Sequence, residues 1–103
     1  MKRGRVSQGL SKEDSVPDPV QKWLDYLCVE RGLAENTLAA YRRDLLGLVC
    51  QARQQQIEFP QEIRRWHLQE YLRKLLEEGM GARSRQRRIS SIRGFFRFLV
   101  QED

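Results

Sequence analysis

Apolar residues recur at helical spacing in four separate stretches, and no segment alternates with the period of two that a strand requires. That pattern sets an all-α fold, a compact bundle of four helices with short connections. Val20, Trp23, Leu24, Leu27 and Cys28 mark a first helix over about 19–31. Asp18 before Pro19 reads as an N-cap acid followed by proline at the first helical position. Gly32 offers the left-handed stop. Leu38, Tyr41, Leu45, Leu48, Val49 and Ala52 share one face of a second helix, which ends before or within the glutamines at 54–56. Pro60 forbids a helix through Phe59, so 57–60 is a loop with Ile57 and Phe59 folded onto the core. Leu68, Tyr71, Leu72, Leu75 and Leu76 define a third helix, ended by Gly79 and Gly81. The fourth runs from about Ala82 to Gln101, with Ile89, Ile92, Phe96 and Leu99 as its apolar stripe and Phe95 at the margin.

A chain of 103 residues suffices for one domain. With 40% hydrophobic and 32% charged residues it can build a modest core under a charged surface. Residues 1–17 are rich in Ser, Gly, Pro and charge, and are expected to be a disordered leader to a helical domain over 18–103. They contain no apolar run of the secretory type. No stretch approaches the roughly 18 apolar residues of a membrane span, so no membrane partner is expected. Cys28 and Cys50 are isolated, and there is one histidine. No CxxC or Cys/His spacing suggests a metal, and no cofactor is expected. A reducing, cytoplasmic setting follows.

The net charge of +5 is uneven. Residues 80–103 hold six arginines against Glu102 and Asp103, a local net of +4. On a helical wheel, Arg83, Arg87, Ser90, Gly94 and Arg97 face away from the apolar stripe. Arg88 and Arg93 flank it, with Ser84 and Ser91 between. Arginine with small residues suits a helix laid in a major groove, where guanidiniums reach phosphates and guanine edges. A solvated basic face is the plainer alternative. These arginines have no acid four residues away, which favours the DNA reading. The second helix presents Asn36, Ala40, Arg43, Gly47 and Gln54 outward, with Thr37 and Arg42 on its flanks, while Tyr41 faces inward. His67, beside Trp66, reads as structural or exposed, because nothing supplies a partner nucleophile. Glu77 and Glu78 read as surface charge.

Two motifs carry a family resemblance. The run Val29-Glu30-Arg31-Gly32-Leu33-Ala34-Glu35-Asn36-Thr37-Leu38-Ala39-Ala40-Tyr41-Arg42-Arg43-Asp44-Leu45 resembles the start of Xer-type tyrosine recombinases and phage integrases. So do Gly79-Met80-Gly81-Ala82-Arg83-Ser84 and Arg87-Arg88-Ile89-Ser90-Ser91-Ile92-Arg93-Gly94-Phe95-Phe96-Arg97-Phe98-Leu99. The Gly-Met-Gly-Ala run is slightly more similar to the XerC branch than to XerD. The resemblance covers residues 19–103. It implies an N-terminal SAM-like core-binding domain of four or five helices, clamping one face of a recombination half-site while a separate catalytic domain clamps the other. It assigns DNA contact to Asn36, Thr37, Tyr41, Arg42 and Arg43 on the second helix, and to Arg83, Ser84, Arg87, Arg88 and Arg93 on the fourth. The implied partners are double-stranded DNA and, in a full-length protein, other recombinase protomers. The isolated domain is expected to be monomeric.

The family's catalytic residues lie in the domain that follows, and Tyr26, Tyr41 and Tyr71 do not match its nucleophile. The chain is therefore expected not to cut DNA, as a domain without its catalytic partner. The usual serines before the second and fourth helices are Ala34 and Gly81 here. The alanine forgoes about 0.5–2 kcal/mol of capping. Arg85 stands where the family is usually apolar. The competing expectation is a helical protein-interaction module that binds an acidic partner through the arginines, with an exposed Phe98 and the first helix as its working surface.

Overall fold

The computed structural model describes residues 16–102, apart from the side chain of Glu102. Most of the expected leader lies outside the described residues. Val16 packs against the core, and Pro17 caps the first helix. The helices are α1 (Asp18–Val29), α2 (Glu35–Gln54), α3 (Arg65–Glu77) and α4 (Ala82–Glu102), with no strand among the described residues.

Helix α1 starts one residue earlier than the Asp-Pro signal suggests. Pro17, in extended geometry, is the N-cap, and its carbonyl accepts from the Val20 and Gln21 amides. Asp18 is already helical and contributes as an acid near the positive end of the helix dipole rather than as a cap. Gly32 turns left-handed at φ 63°, and the Leu33 amide returns to the Leu27 carbonyl at 3.2 Å. Ala34 precedes α2 with no side-chain cap, as the missing serine predicts. Helices α2 and α3 both end in Schellman closures. The Ile57 amide reaches Ala52 past a left-handed Gln56, and the Met80 amide reaches Leu75 past a left-handed Gly79.

The core forms where α1, α2 and α4 meet. Trp23 stacks on Tyr41 and meets Phe95 edge-on, and Phe59 stacks on Phe95 from the loop, as expected for that side chain. Val20, Leu24, Leu27, Leu45, Leu48 and Ile92 fill the remainder.

Helix α4 departs from its wheel. Phe95, expected at the margin, is fully buried at the centre, whereas Ile89, Phe96 and Leu99 are half-buried. Phe98, expected as an exposed interaction surface, is buried and packs on Tyr26 at 5.1 Å. The cause is geometric. Helix α4 packs against all three other helices, so its buried arc is wider than a single apolar direction. Helix α3 shows the opposite behaviour. Its main contact is α4, so Tyr71 and Leu75 are buried while Leu76 is exposed.

Candidate nucleic-acid interface

Helix α2 carries an acid inside its apolar face. Asp44 lies between Tyr41 and Leu48 in the helical repeat and is fully buried. A buried carboxylate requires partners, and α4 supplies them. Arg87 donates from Nη2 to Oδ1 at 2.7 Å and from Nε to Oδ2 at 3.2 Å. Ser91 Oγ donates to Oδ2 at 2.9 Å. Arg88 Nε lies 3.3 Å from Oδ1, an ion-pair contact without hydrogen-bond alignment. Arg88 Nη1 donates to the Tyr71 hydroxyl at 2.8 Å, which ties in α3. One carboxylate thus joins three helices, and two guanidiniums leave the cluster with a net positive charge.

The hydrogen bond to Asp44 raises the Arg87 pKa above its ordinary value, against a smaller desolvation effect. Burial raises that of Tyr71, with Arg88 opposing.

Two glycines that the wheel turned outward face inward. A Cβ on Gly47 would collide with the Tyr71 hydroxyl and sit 2.8 Å from Arg88 Nη1. A Cβ on Gly94 would stand 3.3 Å from Trp23 Cζ2. Both let neighbouring side chains approach a helix from within.

The expected contact residues therefore fall into distinct settings. Asn36 and Arg43 on α2, and Arg83 and Ser84 on α4, are exposed. Thr37 is half-buried, and Arg42 is half-buried and engaged. Tyr41 lines a groove of about 470 Å³ with Arg31, Ser90, Gly94 and Arg97. Arg93 lines a separate groove of about 410 Å³ with Arg65, Gln69 and Ile89 on the α3 side. The structure brings Arg87 and Arg88 together on Asp44 and does not bring Arg93 to them. Arg88 has a side chain only 16% exposed, against 42% for Arg87. Arg85 bonds the Met80 carbonyl and closes the α3–α4 turn.

Asp44 and Tyr71 were not expected in this role. A carboxylate within the apolar repeat of α2 was the available signal, since such an acid is rarely buried without a cation. His67 is structural. Its Nδ1 accepts from the Arg64 amide at 2.8 Å at the start of α3. Both cysteines are free thiols. Among the described residues, no helix is long and apolar enough to cross a membrane, and no cluster of His, Cys, Asp and Glu could hold a metal.

These features define an all-α, SAM-like domain with an arginine-rich fourth helix anchored to the second by a buried carboxylate. The family model "Phage integrase, N-terminal SAM-like domain" matches residues 20–103, and the chain belongs to that family. It is 39% identical over 83 residues to tyrosine recombinase XerD of Staphylococcus haemolyticus, covering 81% of this chain and 28% of that protein. It is 38% identical over 82 residues to tyrosine recombinase XerC of Xylella fastidiosa, covering 80% of this chain and 28% of the relative. Staphylococcus aureus XerD is 36% identical over 83 residues, with 81% and 28% covered. The XerC and XerD identities are too close to separate the branches. The chain thus spans about 28% of the length of these relatives. No solved structure matches it.

Proposed function

We propose that this domain binds double-stranded DNA at a recombination half-site as the N-terminal, core-binding part of a tyrosine recombinase. The activity served is site-specific recombination, either DNA integration or chromosome dimer resolution. Helices α2 and α4 are the contacting elements. The observation that carries this reading is the set of exposed arginines without acidic partners among the described residues, Arg43, Arg83 and Arg97, on the two helices locked together by Asp44. Asn36, Thr37, Tyr41, Arg42, Ser84 and Arg93 belong to the same reading by position. Phosphate contacts dominate its affinity, so binding weakens as salt rises.

The chain supplies binding rather than cleavage. Tyr26, Tyr41 and Tyr71 all sit within helices of the bundle, and Tyr71 is committed to Arg88. Other recombinase protomers are its partners in a complete assembly, and the domain alone is monomeric.

Titration of the 15N-labelled chain with a short DNA duplex tests the proposal. Amide shifts clustered at 36–43 and 83–97 are expected. An absence of shifts at low salt would falsify it.

A further inference from the structure

Arg87 occupies an unusual position for a surface arginine. Its Nε and Nη2 are bound to a carboxylate that no solvent reaches, yet its side chain is 42% exposed. Nη1 has no partner among the described residues. A guanidinium presents five donors in one plane, so fixing the Nε–Nη2 edge also fixes where the remaining donors point. Asp44 is itself held by Ser91 and Arg88, and Arg88 by Tyr71, across a gap that only a glycine at position 47 leaves open.

We infer that Asp44 is a positioning residue for DNA: its buried carboxylate holds Arg87 across the α2–α4 seam with the Nη1 edge free to take a backbone phosphate, while Arg88 serves the carboxylate rather than the DNA. This rests on the DNA-binding reading above. The physical gain is preorganisation. An arginine that is already ordered loses little side-chain entropy when a phosphate arrives. The arrangement gives a planar, charge-assisted acceptor on one edge and leaves the other for the phosphate oxygens.

Positioning by Asp44 gives an effect opposite in sign to bulk electrostatics. Removing the Asp44 charge makes the chain one unit more positive than its present +5, which by itself tightens DNA binding. If Asp44 positions Arg87, Asp44→Asn instead weakens binding.

The test is a double-mutant cycle on the whole chain, using duplex anisotropy across a salt series at temperatures where circular dichroism shows every variant folded. Asp44→Asn is expected to weaken binding about fivefold or more and to lower the log–log salt slope by about one, as the loss of a phosphate ligand does. In an Arg87→Ala background that loss is expected to vanish, leaving the slope unchanged and only the slight tightening that the added positive charge brings. Binding as tight as wild type or tighter, or losses that simply add in the double variant, would overturn the inference. If Asp44→Asn does not fold, Ser91→Ala takes its place, because it loosens the carboxylate without altering charge. It is expected to weaken binding about twofold to threefold only while Arg87 is present, and no loss overturns the inference. Arg43→Ala and Arg83→Ala separate the two levels. Loss of affinity in both, with none in Asp44→Asn, retains DNA binding and removes the positioning role. No binding by the wild-type chain removes both.

Discussion

Arg88 and Arg83 lie on the same helix and answer to different constraints. Arg88 is nearly buried and divides its guanidinium between Asp44 and the Tyr71 hydroxyl. Arg83, like Arg43 and Arg97, is exposed and has no ion pair among the described residues. Arg87 stands between the two conditions, with one edge on the buried carboxylate and the other free. Residue type alone therefore does not distinguish a guanidinium that ties helices together from one left to solvent. On α4 the distinction is made by a carboxylate from a different helix.

The largest effect should come from removing that carboxylate completely. Asp44→Ala leaves Arg88 in a low-dielectric site without its counter-charge and takes one of two acceptors from Ser91, whose hydroxyl also reaches the Arg88 carbonyl. A destabilisation of about 3–5 kcal/mol is expected in urea or thermal unfolding. A change within about 0.5 kcal/mol would mean that the buried cluster does not hold the helices together.

Much of the fold was legible in the sequence, for particular reasons, whereas the contrast between these arginines was not. Val20, Trp23, Leu24 and Leu27 face the core because α1 has a narrow apolar stripe that one wheel describes well. The helix stops at Gly32 and Gly79 were legible because a left-handed residue there excludes most side chains. Phe95 and Phe98 were misplaced because α4 has three neighbours and the wheel assumes one direction. Asp44 was missed because its partners are distant in sequence, on α4. A search for acids four residues from each arginine does not reach them.

A smaller effect is expected where the network needs space. Gly47→Ala gains about 1 kcal/mol of helix propensity but drives a methyl into the Tyr71–Arg88 contact, an overpacking that costs about 1–3 kcal/mol. A net loss of about 1 kcal/mol should result. Gly94→Ala, where the nearest atom is Trp23 Cζ2 at 3.3 Å, should be milder. Equal melting temperatures for the two variants would remove the distinction between the seams.

A weaker effect still should appear at alkaline pH. Burial raises the Tyr71 pKa in the folded chain, so the folded state holds that proton more tightly than the unfolded state. The resulting stability is full below the ordinary tyrosine value and is lost as pH rises through and beyond it. Urea midpoints across the range near pH 10 should fall more steeply for wild type than for Tyr71→Phe. Parallel profiles would show that Tyr71 does not contribute.

The most direct test concerns the exposed arginines as a set. Duplex affinity should be measured against salt for wild type and for Arg43→Gln/Arg83→Gln/Arg97→Gln. Each lost phosphate contact lowers the log–log slope by about 0.9, so a drop of about 2.7 is predicted, with the melting temperature nearly unchanged. An unchanged slope in a folded triple variant would contradict the division between arginines that hold the helices and arginines that hold DNA.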